Sequence, residues 1–502
     1  MTVRTRYAPS PTGALHIGNV RSGLFAYLFA RHNHGAFILR IDDTDELRST
    51  TESLEEILES LRWLGVEWDE GPPDRKYFQS SRFDRYRESA LKLLRENKAY
   101  PCYCTAEELD AMRKAAEREH RKPGYNGRCR DRTAPAELVN VELPDKKAGR
   151  NYTIRFRSPR EGATVVDDLI KGPAVFENTE LDDLIIFRSD GVPTYNFATV
   201  LDDFDFAITH VVRGDDHLPN TPRQMQIFYA LGLTPPAYAH LPMVMGADKQ
   251  KLSKRHGATS VFAYRDLGYF PEALLNYLVR LGWSHGDQEI FSLQEMFEYF
   301  DFASCGKSAG IFNAEKLLWI NFHYMKELPL ARIARDARPF IAKKGWSIPG
   351  DDAWLEKMIA TLRERAKTLV ELVEFASFYL NDEIAIDPKA AAKFLKPEIA
   401  EPMNAVAGEL DALTAELDGS HSISTGGKSV DLDFSEASIQ AAFERVLARF
   451  DLKLGQLAQP VRVALTGGTV SPGIYEVIAV LGRARTVARL RTAIRVASAS
   501  VG

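Results

Sequence analysis

The sequence predicts an α/β protein: a doubly wound domain, interrupted by an insertion and followed by an all-α C-terminal region. Three observations carry this. Apolar strand-like runs and amphipathic helical segments alternate from Val3 to Gly65. From about Tyr100 a stretch with clustered cysteines and β-rich pieces breaks the alternation. Beyond Pro271 almost every segment has helical periodicity.

Val3 to Ala8 reads as a short strand, and the loop from Pro9 to Gly13 follows it. Asn19 to His32 reads as a helix with Val20, Leu24, Tyr27 and Leu28 on one face. Phe37 to Ile41 is the next strand, and the amphipathic run Leu54 to Leu64 ends at Gly65, a helix stop. In such a domain ligands sit at the carboxyl ends of the strands, where the Pro9–Asn19 loop falls. The insertion carries a charged helix, Thr105 to Arg121, and strand-like pieces at 152–156, 163–166 and 184–187. The α/β pattern resumes with 195–201 and 207–213, and 221–231 reads as a helix. Further helices are predicted at 272–281, 293–300, 314–325 and 354–380. The polar stretch 408–435, richer in Gly and Ser, reads as a long surface loop.

At 502 residues the chain has room for about two to four domains. Its 45% apolar and 26% charged content fits an ordinary globular protein. A net charge of −5 weighs mildly against nucleic acid, although local patches rather than the sum decide that footprint. No apolar run is long enough to span a bilayer, so no membrane partner is expected. The N-terminus MTVRTRYAPSPTG has no signal-peptide core, and a reducing cytoplasm is the expected setting. Four cysteines there point to metal or catalysis rather than to a disulfide framework.

Two distant segments look built for triphosphate chemistry. In the first, Pro9 to Asn19, a small-residue loop opens a helix, whose free N–H groups and dipole favour phosphate. His16 adds a donor at that mouth, and Gly18 permits close approach; the bland alternative is that His16 only caps the helix. In the second, Lys251-Leu-Ser-Lys254-Arg-His-Gly257, Lys251 and Lys254 can neutralise a leaving pyrophosphate, with Gly257 keeping the loop mobile. Alone that run reads equally as a solvated charged loop. Cys102-x-Cys104 and Cys129-x-Asp131 look like a metal clip of zinc type, with Tyr125 an alternative fourth ligand to Asp131. The competing reading is two packed cysteines and an unrelated thiol; Cys305 stands alone and reads as core. Arg6, Asp42, Tyr195 and Arg213 each fall at or beside a predicted strand end. Two arginines in one pocket suit a carboxylate ligand, and surface ion pairs are the alternative. Near the C-terminus Arg483, Arg485, Arg489, Arg491 and Arg495 form either a solvated helix face or an RNA-phosphate patch.

The Pro9–Asn19 segment resembles the HIGH signature of class I aminoacyl-tRNA synthetases, and Lys251–Arg255 resembles their KMSKS signature. RYAPSPTGALHIGN, LRIDDTD, SDGVPTYNFA, VVRGDDH and ALTGGTVSPG are similar to the bacterial glutamyl-tRNA synthetase family over nearly the whole chain. The resemblance implies a Rossmann-type catalytic domain at 1–100 and 190–245, with an inserted tRNA acceptor-binding domain at 101–189. It further implies a helical stem-contact domain at 246–325, an all-α anticodon-binding domain at 326–502, and a monomeric chain. The implied activity is that of a glutamate–tRNA ligase. ATP, with Mg2+, activates L-glutamate to glutamyl-adenylate, which passes to the 2′-hydroxyl of the terminal ribose of tRNA(Glu). Whether tRNA(Gln) is a second acceptor stays open. The resemblance makes His16, Lys251 and Lys254 catalytic. It places ATP against Ser10, Thr12, Gly13, Gly18 and Asn19 together with those three, Asn19 replacing the second histidine of the class signature. Arg6, Ala8, Ser10, Tyr195, Thr199 and Arg213 match glutamate-pocket positions, with Arg213 on the side-chain carboxylate. Asp42 stands where the family often has a glutamate that holds the substrate ammonium. Cys102, Cys104 and Cys129 match the zinc cysteines of some members, and Asp131 stands where those have histidine.

Rival readings are a glutaminyl-tRNA synthetase, a tRNA-modifying glutamyl transferase, a small-molecule nucleotidyltransferase and a non-catalytic RNA-binding protein. The helical C-terminal region counts against the first three, because a β-barrel is expected in the first and no such region is needed in the others. The two intact signatures count against the last.

Overall fold

Strand β1 (Arg4–Tyr7) is buried along most of its length and lies between two parallel neighbours, β2 (Ala36–Leu39) and β8 (His210–Gly214). This is the geometry of a strand covered on both faces. In the computed structural model the described residues are 2–45, 48–120, 124–145, 147–253, 260–413 and 434–499. They divide into two units, Met1–Asp266 with Phe270–Ile320, and Leu267–Tyr269 with Asn321–Gly502.

The main sheet of the first unit runs β2-β1-β8-β9-β5-β6, with β9 at Ala237–Leu241, β5 at Ala163–Asp168 and β6 at Gly172–Glu177. Only the last pair is antiparallel. Chain order reverses between β1 and β8, and the carboxyl ends of those strands open the crevice where ligands bind in this architecture. A three-stranded antiparallel sheet of β3 (Ala99–Cys102), β4 (Thr153–Phe156) and β7 (Ile185–Phe187) stands apart from it. A short pair, β10 (Val244–Met245) with β11 (Gly310–Ile311), completes the strands. The hairpin β5–β6 comes from within the span expected as an insertion, yet it extends the main sheet. Exposed and buried side chains alternate along β5, as a strand with one covered face requires.

Helix α1 (Ile17–His32) crosses from β1 to β2. Val20, Leu24, Tyr27 and Leu28 are buried as expected, and so are Arg21, Gly23, Phe25 and Ala26, so the helix is enclosed nearly all round. A Cβ on Gly23 would come within 2.9 Å of the Tyr7 ring, so glycine sets how closely α1 packs on β1. Helices α2 (Thr51–Trp63), α3 (Phe83–Arg95), α4 (Ala106–Arg118), α5 (Tyr195–Asp205) and α6 (Thr221–Leu231) follow in chain order. α3, α5 and α6 share one core with β3, β4 and β7, built around Tyr86, Tyr100, Phe156, Phe187, Phe197 and Phe228.

Among its described residues the second unit has helices and no strand. The single helix expected at 354–380 is three, Asp352–Leu362, Leu369–Phe375 and Ser377–Leu380. Thr368 caps the second by accepting from Glu371 N, which restarts the chain there. The helix Pro397–Ala412 runs into the stretch expected as a loop, and 414–433 lie outside the described residues. The C-terminal arginines follow neither alternative as a group. Arg489 is buried and donates to the carbonyls of Phe378 (2.8 Å) and Leu465 (2.7 Å). Arg485 donates to Tyr379 O and Asn381 O, both at 2.6 Å. These two are internal braces that satisfy carbonyls at a helix end; Arg491 pairs with Asp411 at the surface.

Candidate active site

A cavity of about 510 Å3 opens at the crevice between β1 and β8. The chain turns into it directly after β1, because Pro9 and Pro11 cannot continue a strand ladder and the backbone bends instead, with Thr12 N bonding back to Ser10 O. His16 then serves as the N-cap of α1. Its backbone is extended, and its Nδ1 accepts from Gly18 N at 3.1 Å. That bond fixes the tautomer: with Nδ1 an acceptor, a neutral ring carries its proton on Nε2. Burial, and then the nearby Lys251 cation, lower the His16 pKa, so the neutral form is the resting one.

The second cationic segment comes back to the same mouth. Lys251 bridges to Met245 and lines the cavity. Ser260 bridges to His16, and Val261 N donates to Leu15 O at 3.2 Å. Ser260 and Val261 thus sit against the start of α1, and Lys251 sits at the cavity. Lys254 and Gly257 themselves lie outside the described residues. Lys251 Nζ rests 3.0 Å from Asp216 Oδ2, an exposed pair whose partner can be exchanged at little cost.

Arginines crowd the opposite wall, and they differ in what neutralises them. Arg6 forks onto Asp203 (3.1 and 3.3 Å). Arg40, fully buried, forks onto Asp42 (2.7 and 3.1 Å) and also reaches Asp203 at 2.7 Å. Burial pushes the Asp203 carboxyl up, but Arg6 and Arg40 outweigh it and hold the group below the usual range. Burial pushes Asp42 up to about 6, which Arg40 offsets only in part. Arg213, also buried, has neutral partners: His240 Nε2 at 3.1 Å, Thr221 Oγ1 at 2.7 Å and the Tyr195 hydroxyl at 3.5 Å. Among the described residues it has no carboxylate partner. Such a cation in a low-dielectric wall attracts an incoming carboxylate strongly.

The cavity thus gathers Arg6, Ala8, Ser10, Thr12, His16, Gly18, Asn19, Asp42, Tyr195, Arg213 and Lys251. Gly13 does not line it, and Thr199 is buried behind it, 3.5 Å from Arg40 Nη2. Sequence reasoning missed Arg21, Arg40, His217 and Asp216, which line the cavity, and His240, Asp202 and Asp203, which support it. Arg21 is buried on α1 and donates to the carbonyls of Leu281 and Pro242, tying the helix to the approach to Lys251. An arginine inside an apolar helix face is a sequence signal that could have exposed it, since such a charge is seldom buried without a purpose.

The cysteine cluster lies away from this cavity, at the end of β3. The sulfur atoms of Cys102, Cys104 and Cys129 lie within 4.8 Å of one another, and Cys104 and Cys129 are 3.6 Å apart. Although burial raises it, bonds from the Cys104 backbone, Tyr125 and Arg155 bring the Cys102 thiol down to about 7, and burial pushes Cys104 up to about 12. The Tyr125 hydroxyl is 3.6 Å from Cys102 Sγ and accepts from Cys129 N at 2.7 Å. Asp131 instead pairs with Arg157 at 2.9 Å, with its side chain 87% exposed.

Residues 2–319 match the family described as tRNA synthetases class I (E and Q), catalytic domain. Residues 332–425 and 427–494 match the anticodon binding domain. The chain is 51% identical over 492 residues to a glutamate–tRNA ligase of Geobacter sulfurreducens, covering 98% of each. It is 48% identical over 495 residues to one of Thermodesulfovibrio yellowstonii, covering 98% of this chain and 99% of the other. Among solved structures, a glutamate tRNA ligase from Elizabethkingia meningosepticum in complex with its amino acid aligns at a TM-score of 0.83 and 32% identity over 99% of both chains. The glutamate–tRNA synthetase of Elizabethkingia anophelis aligns at 0.79 and 32% identity, covering 99% of this chain and 100% of the other. No helix among the described residues is long and apolar enough to cross a membrane.

Proposed function

The chain belongs to the glutamate–tRNA ligases of class I, and from that premise we propose how its cavity activates L-glutamate with ATP and delivers it to tRNA(Glu). The glutamate α-carboxylate is ionised at neutral pH and needs no general base. It attacks the α-phosphorus, pyrophosphate leaves, and glutamyl-adenylate forms; the terminal ribose of the tRNA then displaces AMP. Catalysis is therefore positioning and charge stabilisation.

His16, neutral and with its proton on Nε2, donates to a phosphate oxygen from the mouth of α1, where Ser10, Thr12, Gly18 and Asn19 frame the nucleotide. Lys251 releases Asp216 and, with Lys254, takes the charge that builds on pyrophosphate. Magnesium enters with ATP as part of the substrate. Arg213 takes the side-chain carboxylate of glutamate, and Tyr195 borders that subsite. Asp42 faces the ammonium, with Arg6 and Arg40 holding the acidic wall in place around Ala8 and Thr199. What supports this reading is the convergence of the His16 mouth, the Lys251 arm and an arginine without a carboxylate partner in one cavity.

Three soft thiol ligands within one small sphere fit zinc, and we assign Cys102, Cys104 and Cys129 to it. Tyr125, whose hydroxyl lies against Cys102, fits the fourth position better than Asp131, whose carboxylate is not among the clustered ligand atoms. The metal would supply a structural staple between the end of β3 and the loop at Cys129. The reading also gives 101–189 the acceptor end of the tRNA, 246–325 its stem and 326–502 its anticodon, in a monomeric cytoplasmic enzyme. The test is charging of purified tRNA(Glu) and tRNA(Gln) with radiolabelled glutamate, with and without ATP. ATP-dependent labelling of tRNA(Glu) is expected; its absence refutes the reading, and labelling of tRNA(Gln) decides the second acceptor.

A further inference from the structure

Three buried polar residues lie across three adjacent parallel strands beneath the cavity. Asp168 ends β5, His240 lies in β9, and Arg213 lies opposite His240 in β8. His240 Nδ1 is 2.6 Å from Asp168 Oδ2, and His240 Nε2 is 3.1 Å from Arg213 Nε. An arginine Nε–H can only donate, so Nε2 is the bare nitrogen and the ring proton sits on Nδ1, facing Asp168. Thr221, equally buried, takes Arg213 Nη2 at 2.7 Å. Two edges of the guanidinium are thus fixed by neutral acceptors. Of the other cavity arginines, Arg6 and Arg40 are instead neutralised by Asp203 and Asp42, and Arg21 is turned away onto the backbone carbonyls of Leu281 and Pro242. Asp168 is one imidazole ring removed from Arg213 and orients that ring without bonding the guanidinium.

We infer that His240, oriented by Asp168, is a specificity-positioning residue: a neutral acceptor that locks the Arg213 fork while leaving its charge free for the side-chain carboxylate of glutamate. This rests on the reading of Arg213 as the anchor of that carboxylate. Glutamine offers the same site a neutral amide and leaves the buried cation unpaired, and that difference is large only while the fork is held still. A carboxylate in place of His240 would neutralise Arg213 and abolish the preference.

The experiment compares His240→Asn, His240→Gln, Asp168→Asn and Arg213→Lys by steady-state aminoacylation with glutamate and with glutamine. Asparagine cannot reach the Nε2 position, whereas the longer glutamine amide oxygen can. His240→Asn is expected to raise KM for glutamate about tenfold and to lower the glutamate-to-glutamine ratio of kcat/KM, with KM for ATP within about twofold of the parent. His240→Gln is expected to restore most of the loss. Should His240→Asn fail to fold, Asp168→Asn carries the test, with a smaller rise in the same KM. A changed Arg213→Lys beside unchanged His240→Asn and Asp168→Asn enzymes overturns the role of His240 alone. Equal shifts in KM for ATP and glutamate also overturn it, since they signal a merely structural role. An Arg213→Lys enzyme with unaltered KM for glutamate removes the anchor, and the inference falls with it.

Discussion

Arg6, Arg40 and Arg213 are chemically alike, and their surroundings separate their roles. A buried guanidinium bonded to a carboxylate is part of the wall, while one bonded to imidazole and hydroxyl keeps its field for a ligand. Arg213→Ala is therefore expected to cut kcat/KM for glutamate by about a hundredfold or more and to collapse discrimination against glutamine, measured by charging with each amino acid. A preserved ratio would contradict the assignment. His240 makes a second prediction at this scale. Burial first, then Arg213, lower its pKa, while Asp168 and Asp215 act the other way. Its folded pKa lies below its unfolded value near 6.5, so the unfolded chain binds the proton first as pH drops. The stability it contributes is whole above about pH 6.5 and declines as pH falls toward the folded pKa. Thermal melts at pH 7.5 and 5.5 are expected to differ more for the parent than for His240→Gln, which has no titrating group there.

Helix α1 shows how one residue can serve both an element and a site. His16 caps the helix through Nδ1, which is the bland reading of that residue, and the same bond aims a proton-bearing Nε2 outward. Asparagine is among the best N-caps, so His16→Asn keeps the helix start and removes the ring. The expectation is a melting temperature within a few degrees of the parent and a pyrophosphate-exchange rate lower by about tenfold or more. A full exchange rate would leave His16 a cap and nothing else. The helix Arg483–Ala499 teaches the opposite lesson. In sequence its arginines read as either a solvated face or an RNA-phosphate patch, yet Arg485 and Arg489 face inward onto the carbonyls of Phe378, Tyr379 and Asn381. A basic stripe and a set of internal braces have the same spacing, and only the neighbouring helix end tells them apart.

For the molecule as a whole, the three clustered thiols bring the β3 end against a loop that has little regular structure of its own. Purified protein is expected to carry about one zinc per chain by elemental analysis, and Cys129→Ser to lose both the metal and several degrees of melting temperature. Zinc retained at full stoichiometry in that variant would refute the ligand set. Sequence was most informative where the chemistry is local. Pro9 to Asn19 carried the strand end, turn and cap in one stretch, and Cys102-x-Cys104 with Cys129 marked the thiol cluster, although Asp131 pairs with Arg157 instead. Such features depend on backbone sterics, capping and ligand spacing, which act over a few residues. Helical periodicity similarly marked the C-terminal region, though not its breaks at Arg363 and Ala376. Strand pairing was not legible, because nothing in the run 163–168 says that it joins β9. That pairing brings Asp168 under His240 and His240 beside Arg213. So the sequence alone determined the class of chemistry and the segments that bear it. Tertiary structure decided which of Arg6, Arg40 and Arg213 lacks a carboxylate partner among the described residues, because charge compensation depends on residues up to 197 positions apart meeting in a buried, low-dielectric wall.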